Sequence, residues 1–320
     1  MVRPFLKTME LSPKLRFKLE RWKNSLNAMF AAKESYDTSH RMCPNCRALV
    51  ERGASECPFC GLKFRSLRAR SPSSGSGQVL GGLLPVPSTA CSVIVVATIA
   101  VYAVSWYLTQ QVSSNAMVAA PSLGGINGGV LQELGAKSPL IIVSHQWWRL
   151  VTAIFLHAGL FHIGMNLWCL FDLGPQVEAL FGASKFVVFY LVTGVAGFLL
   201  SLFWNPFGVS IGASGAVLGL IGVLIGASFH HGGLGKAYRG TLWRWVIYIL
   251  IFGLLPIFAV DNAAHIGGLV AGLALGYMIP EADTETVTGD KLWNVLALFS
   301  VIIIAGSFAL MAMHLTQAGG

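Results

Sequence analysis

The sequence predicts an all-α polytopic membrane protein preceded by a small, basic domain on the cytosolic side. Of its 320 residues, 54% are hydrophobic and only 11% are charged, whereas soluble domains average about 25% charged residues. The charge is also uneven: residues 1–70 carry 15 Lys/Arg and 6 Asp/Glu, and residues 71–320 carry 7 and 8. The net charge of +8 therefore belongs to the N-terminal part.

The N-terminal segment, residues 1–41, mixes many cations with apolar side chains such as Phe5, Leu15 and Trp22. It lacks the uninterrupted apolar stretch of a secretory signal peptide, so we expect this part to stay in the cytoplasm. Its pattern predicts a basic amphipathic helical segment. That segment either packs on its own domain or touches anionic lipid headgroups at the membrane surface.

Two CxxC pairs follow, ten residues apart: Cys43, Cys46, Cys57 and Cys60. Four thiolates at this spacing can surround one Zn²⁺ ion, and the glycine after the second pair permits a tight turn. Because a cytosolic location keeps thiols reduced, residues 42–66 are predicted to be a zinc ribbon with a structural, non-catalytic metal. The alternative is four unrelated thiols or two redox pairs.

Residues 67–87 are rich in Ser, Gly and Pro, which predicts a flexible linker. Beyond it, seven apolar segments are each long enough to cross ~30 Å of hydrocarbon. They lie near 88–110, 149–171, 184–204, 214–230, 242–260, 263–280 and 292–314. With the N-terminus inside, the basic residues near 230–244 fall on the cytoplasmic side, which agrees with the positive-inside rule.

Polar side chains within these apolar segments are candidates for function, because burying them in lipid is costly. His162 and Asn166 are four residues apart, so they share a helix face. Ser214 begins the fourth segment, and His265 lies near the start of the sixth. Both segments carry glycine at roughly four-residue spacing, which lets helices approach closely. If these faces meet, Ser214 and His265 lie together at the outer end.

A serine hydroxyl becomes a nucleophile when a base lies within hydrogen-bonding distance. Ser214 would also lie at a helix N-terminus, where the dipole favours developing negative charge. Asp261, four residues before His265, is a weak candidate for a third member, so a dyad is favoured over a triad. The surrounding GASGA string does not match the G-x-S-x-G elbow of soluble hydrolases.

Four motifs occur in the order found in rhomboid intramembrane serine proteases, which this chain resembles over about residues 88–280. They are Trp148-Arg149, His157-x4-His162-x3-Asn166, Gly212-x-Ser214-Gly215 and His265-x2-Gly268-x3-Gly272. The resemblance implies a rhomboid-like core of six helices at 88–280. A loop and one extra C-terminal transmembrane helix at 281–320 complete a 6+1 arrangement.

The resemblance also implies the roles of these residues. Ser214 would be the nucleophile and His265 the general base and then acid, with His162, Asn166 and the Ser214 amide holding the oxyanion. The remaining motif residues, Trp148, Arg149, His157, Gly212, Gly215, Gly268 and Gly272, would be structural. The site would open to the extracytoplasmic side and need no cofactor. One departure is Leu218, at a position that is often aromatic in the family.

The expected activity is cleavage of single-pass transmembrane substrates. Membrane lipids are the other expected partners, with a possible protein partner for the zinc ribbon and no nucleic acid. A rhomboid-like pseudoprotease that binds transmembrane helices without cutting them is the alternative, and such relatives usually lack the serine or the histidine. A transporter is a third possibility, but the spans have few ionisable residues for a coupled proton path.

Overall fold

In the computed structural model of the protein, the chain divides into two compact units, Met1–Ser76 and Gly77–Gly320. The structure describes residues 40–42, 49–51, 54, 56–61, 89–115, 124–255, 260–279 and 287–318. The division falls within the predicted linker, 67–87, which lies outside the described residues. Residues 1–39 of the predicted amphipathic segment lie outside them as well.

The first unit contains an antiparallel strand pair, β1 (His40–Met42) and β2 (Leu49–Glu51), in which Arg41 pairs with Val50. Val50 packs against Cys57, and both side chains are buried. A tight turn follows, in which the Gly61 amide donates to the Cys57 carbonyl oxygen at 2.9 Å. Gly61 has φ +68°, which glycine adopts without steric cost. The predicted turn at this glycine is confirmed.

Cys43 and Cys46, which would supply half of the predicted zinc ligands, lie outside the described residues. Within the described residues, no group of three or more His, Cys, Asp or Glu could hold a metal ion. With two of the four cysteines outside that search, the zinc ribbon stays a prediction.

The described part of the second unit is helical. Its helices are α1 (Thr89–Asn115), α2 (Gly128–Glu133), α3 (Leu140–Val143), α4 (Arg149–Thr152), α5 (Leu160–Phe181), α6 (Ala183–Trp204), α7 (Ser214–Ala227), α8 (Gly232–Phe252), α9 (Asn262–Met278) and α10 (Val287–Ala318). A 3-10 turn, Ser228–His230, follows α7.

Apolar helices make this an integral membrane protein. Within the described ranges, three are long and apolar enough to cross a membrane: Thr89–Val112, Ala183–Trp204 and Lys291–Gln317. Ser214–His230 is a shorter apolar helical stretch. The outer faces of α1, α8 and α10 expose many large apolar side chains, as expected of surfaces that contact lipid.

Two predicted spans were wrong in position. The second, 149–171, is interrupted: α4 is a single turn, and α5 begins only at Leu160. Arg149 is fully buried and donates to carbonyl oxygens, so this short helical turn belongs to a folded segment before α5 rather than to a helix in lipid. The fifth, 242–260, begins ten residues early, at Gly232. Its first turns tolerate Arg239 because the guanidinium donates to the Ser228 carbonyl oxygen at 3.0 Å.

Helix α7 lies at the centre of the second unit and packs against α5, α6, α8 and α9. Every residue of α7 after Ser214 is buried. The glycine faces of α7 and α9 are in contact. A Cβ atom on Gly268, Gly272 or Gly276 of α9 would overlap the carbonyl oxygens of Gly215, Gly219 and Val223 respectively. The two helices therefore touch backbone to backbone.

The last helix, α10, packs along α6 and α4. Near its start, the Trp293 ring lies edge-on to Phe189, with 6.0 Å between centroids. Near its end, His314 Nε2 lies 3.6 Å from a carboxylate oxygen of Glu133, and its ring is 6.0 Å from that of Trp148. The C-terminal helix thus contacts the loop that carries the Trp148-Arg149 motif.

Candidate active site

Ser214 is the first residue of α7, and its position depends on the backbone immediately before it. Gly212 has φ +121°, a conformation open to glycine but strained for other residues. A Cβ atom at Gly212 would also lie 2.7 Å from Nε2 of His162. The Gly212 amide donates to the Ala153 carbonyl oxygen at 2.9 Å. This position therefore needs glycine for both its conformation and its close neighbour.

His265 lies in the first turn of α9, and its Nε2 atom is 2.8 Å from Oγ of Ser214. The histidine is only 4% exposed. The close approach of α7 and α9 sets this distance, because Gly215 packs against the Ala264 backbone and Gly268 against Gly215. The structure thus brings the two predicted dyad residues within hydrogen-bonding distance.

His162 lies in the first turn of α5, beside Gly212 and Ser214. Its Nδ1 atom accepts a hydrogen bond from the Ala158 amide at 3.3 Å. An imidazole nitrogen that accepts carries no proton, so we assign the proton of the neutral ring to Nε2. That nitrogen faces Gly212, on the side where Ser214 Oγ also lies. His162 can therefore donate a hydrogen bond towards an oxygen formed next to Ser214.

Asn166 is one turn further along α5 and is 7% exposed. Its side-chain amide donates to the His162 carbonyl oxygen at 2.9 Å. An amide NH₂ has two protons, so one further donor is compatible with this contact. The bond also ties Asn166 to the turn that carries His162.

His157 precedes α5 and is fully buried. Its Nε2 atom accepts from the Ala213 amide at 3.5 Å, and Nδ1 lies 3.2 Å from the Phe155 carbonyl oxygen. Its ring packs edge-on to that of His162, with centroids 4.9 Å apart. These contacts hold the backbone next to Ser214, as a structural role requires.

Trp148 and Arg149 form a frame outside the dyad. The Arg149 guanidinium stacks 4.7 Å from the Trp148 ring centre, and it donates to Oε1 of Gln146 at 2.6 Å and to the carbonyl oxygens of Gln132 and Ala136. Burial lowers the pKa of Arg149, against the pull of the Glu133 charge. This frame fixes the segment that leads into Lys137.

Lys137 is a site residue that the sequence analysis missed. It is fully buried, and its Nζ donates to the carbonyl oxygens of Asn205 and Gly208 at 2.5 and 3.0 Å. Its backbone exchanges two hydrogen bonds of 3.0 Å with Ser210. Burial lowers the pKa of Lys137, and the nearby Asp261 charge opposes this. Lys137 therefore clamps the loop that leads to Ser214. A single lysine in a long loop gives no sequence signal for such a contact.

A cavity of about 330 Å³ lies beside this loop and the start of α9. Its polar lining includes Lys137, Ser201, Asn205, Ser210, Asp261 and Asn262. Residues of the loop before Ser214 and of the segment before His265 both line it. The cavity thus adjoins the two segments that present the dyad.

Leu218, the residue noted as a departure from the family pattern, lies one turn after Ser214 and is 1% exposed. It packs in the apolar core around α7.

In this helical membrane unit, a serine and a histidine are in contact at the N-termini of two adjoining helices. This arrangement is typical of hydrolases, so the protein is of the class of membrane proteins with a hydrolase-like site. Comparison with known proteins points to one family. Residues 144–282 match the family described as Rhomboid domain. This stretch is therefore similar to Rhomboid domains, and the relatives that follow support the rhomboid family.

RHOMBOID-like protein 1 of Arabidopsis thaliana is 34% identical over 202 residues, covering 58% of this chain and 51% of the relative. Rhomboid protease GluP of Bacillus subtilis is 34% identical over 187 residues, covering 56% and 35%. Rhomboid-like protease 3 of Toxoplasma gondii is 33% identical over 156 residues, covering 47% and 58%. The matched part spans from about a third to somewhat over half of these relatives' lengths.

Proposed function

We propose that this protein is a rhomboid-type intramembrane serine endopeptidase that uses a Ser214–His265 dyad. The observation that carries the proposal is the 2.8 Å separation of Ser214 Oγ and His265 Nε2. Ser214 lies at the N-terminus of a buried helix, and its distance to His265 is the separation that a nucleophile and its base need for acyl transfer. Two relatives, GluP and Rhomboid-like protease 3, carry the word protease in their names.

The first chemical step is attack on the scissile carbonyl. His265 Nε2 takes the proton of the Ser214 hydroxyl while Oγ forms a bond to the carbonyl carbon, which leaves a tetrahedral oxyanion and a protonated imidazole. The Nε2–H of His162 and the second side-chain N–H of Asn166 would donate to the oxyanion, together with the Ser214 amide at the helix N-terminus. Removing one such donor costs about 10²–10³-fold in kcat in other serine proteases.

The intermediate then collapses. The C–N bond of the peptide breaks, His265 gives its proton to the leaving amine, and an acyl ester on Ser214 remains. Water then adds to the ester carbonyl as His265 takes its proton. The ester C–O bond breaks, the proton returns to Ser214 Oγ, and the second product leaves as a carboxylic acid. Ser214 is partly exposed, which is compatible with water reaching it.

The substrates would be single-pass transmembrane proteins cut in or near the membrane, as the family resemblance implies. In this proposal α1 and α5–α9 form the six-helix core, and α10 is the additional C-terminal helix. The N-terminal unit lies in the cytoplasm, and the dyad opens to the opposite side. Lipids are the other partners.

For the N-terminal unit, we propose a structural Zn²⁺ site formed by Cys43, Cys46, Cys57 and Cys60. The Cys57–Gly61 segment supports it, because a hydrogen bond back to the first cysteine's carbonyl oxygen and a left-handed glycine fold the backbone around this CxxC pair into a tight turn. Zinc bound there would stabilise the small unit, and its surface would be available to a protein partner.

Cleavage of a single-pass transmembrane reporter in proteoliposomes tests the proposal. The full-length protein should cut it, and Ser214→Ala and His265→Ala should each abolish cutting while retaining the thermal unfolding midpoint. Labelling of Ser214 by a fluorophosphonate provides a second readout. Failure of both readouts with several reporters would favour the pseudoprotease, and cleavage that survives Ser214→Ala would exclude the proposed nucleophile.

A further inference from the structure

Asp261 immediately precedes α9 and joins it to α6. One carboxylate oxygen accepts from the Ala264 amide at 3.0 Å, and the other accepts from the hydroxyl of Ser201, which is 1% exposed. The Asp261 carbonyl oxygen also accepts from the His265 amide at 3.1 Å. One residue therefore caps the helix that carries His265 and anchors its first turn to a neighbouring helix.

The imidazole of His265 uses only one of its nitrogens. Nε2 contacts Ser214, while the buried Nδ1 has no hydrogen-bond partner among the described residues. Both carboxylate oxygens of Asp261 are engaged elsewhere, so this is a dyad without a directly bonded acid. When His265 takes the serine proton, no described residue accepts a hydrogen bond from Nδ1 to stabilise the positive charge.

The charge of Asp261 nevertheless acts on His265 through space. The hydrogen bonds to Ala264 and His265 hold Asp261 one turn before His265. Burial of the imidazole disfavours its protonated form, and the negative charge of Asp261 acts in the opposite direction by attracting it. Because His265 is only 4% exposed, an attraction between opposite charges a helical turn apart is only partly screened there. It would act most strongly in the transition state, when the imidazolium forms.

We propose that Asp261 is a positioning residue for His265. It fixes the first turn of α9 to α6, and its negative charge stabilises the imidazolium without contacting it. This inference rests on the proposed protease function and extends it. It assigns the role of a triad's acid to Asp261, which acts from the helix cap instead of bonding to the histidine ring.

Lys137 is the other charge facing Asp261. Its ammonium already donates to two carbonyl oxygens, so it does not depend on Asp261 for hydrogen bonds. An Asp261→Asn change therefore leaves the Lys137 clamp intact. Asparagine caps helices about as well as aspartate, and its side-chain oxygen can accept from either present donor. This substitution removes the charge and leaves the cap.

The test compares three variants of the full-length protein in the reporter assay: Asp261→Asn, Asp261→Ala and Ser201→Ala. We expect Asp261→Asn to lower kcat roughly tenfold with unchanged KM and unfolding midpoint, because only the transition state carries the imidazolium charge. Asp261→Ala should lower both kcat and the midpoint. Ser201→Ala removes the anchor to α6, so it should lower the midpoint, and it should lower kcat less than Asp261→Asn does, since the charge and the cap remain.

Wild-type kcat in Asp261→Asn would overturn the role of the charge. Equal losses of kcat and unfolding midpoint in Asp261→Asn and Asp261→Ala would reduce Asp261 to a structural cap and also overturn the inference. A wild-type protein that cuts while Ser214→Ala does not establishes the protease independently of either result. A wild-type protein that cuts nothing and takes no fluorophosphonate removes both the proposed function and this inference.

Discussion

Gly268 of α9 lies directly against the carbonyl oxygen of Gly215 in α7, so closely that a Cβ on Gly268 would overlap that oxygen. Gly215 follows the proposed nucleophile, and Gly268 is three residues beyond the proposed base. The Ser214–His265 distance is therefore set by main-chain contact, which allows less adjustment than side-chain packing does.

Gly268→Ala should separate α7 from α9 and destabilise the protein. The added methyl group meets backbone that cannot move aside as a flexible side chain would, so we expect a loss of about 1–3 kcal/mol and a fall in cleavage. Gly306→Ala is the matched control, because a Cβ there meets nothing within 4 Å. Thermal unfolding and reporter cleavage measure the two effects, and equal behaviour of the two variants would contradict the packing argument.

Gly212→Ala should impair the site more than the fold. The residue would have to adopt φ +121° and place its methyl group 2.7 Å from Nε2 of His162, which costs about 1–3 kcal/mol of backbone strain. We expect fluorophosphonate labelling of Ser214 to slow at least about tenfold, because each 1.36 kcal/mol added to a barrier slows a rate tenfold. Labelling at the wild-type rate would show that this loop does not need glycine.

His162→Ala should lower kcat by about 10²–10³-fold with little change in KM, because the proposed mechanism places its donor at the oxyanion. The matched comparison is His157→Ala, whose ring contacts the backbone at Ala213 instead. That variant should lose stability as well as activity, since a buried amide loses its partner. If His162→Ala raises KM and leaves kcat unchanged, His162 binds substrate rather than the oxyanion.

Lys137→Met should loosen the loop that leads to Ser214. Two carbonyl oxygens, those of Asn205 and Gly208, lose their charged donor, and a hydrogen bond to a charged group contributes about 1.5–3 kcal/mol. Lys291→Met provides the control, because Lys291 is exposed near the start of α10. Thermal unfolding should separate the two. An unchanged midpoint and cleavage rate in Lys137→Met would refute the clamp.

Cys57→Ser should remove the metal from the N-terminal unit without abolishing cleavage. One thiolate fewer leaves an incomplete tetrahedral site, so elemental analysis of the full-length protein should fall from about one zinc per chain to well below half. The control is Cys169→Ser in α5, and this variant should keep the zinc of the N-terminal unit. Wild-type protein that purifies without zinc would favour the redox or unrelated-thiol alternative.

Much of the site could be predicted from the sequence because its residues occur in regular helical spacing. Ser214 and His265 begin apolar helices, and the glycine faces beside them predict the contact that brings them together. Lys137 and Asp261 behave differently. Lys137 acts through carbonyl oxygens of a loop about 70 residues away, and Asp261 binds Ser201, 60 residues earlier. Such contacts leave no periodic pattern.

Helix boundaries were predicted less well where charge and loops interrupt the apolar pattern. The run from Arg149 is apolar enough to read as a span, but its arginine is satisfied by carbonyl oxygens inside a folded loop. Hydropathy counts the arginine as a charge near a membrane boundary and cannot detect such partners. The start of α8 was missed for the converse reason. Its first turns carry cations that hydropathy assigns to a loop, although they lie on a continuous helix.

The burial of α7 has a consequence for how the bilayer can act on the site. Every residue of that helix after Ser214 is enclosed by protein, while α1, α8 and α10 present their apolar faces outward. A thinner or thicker membrane would tilt the outer helices first, since hydrophobic mismatch acts on surfaces in contact with lipid. The strain would reach Ser214 only through the surrounding helices, so the lipid environment would tune this site indirectly.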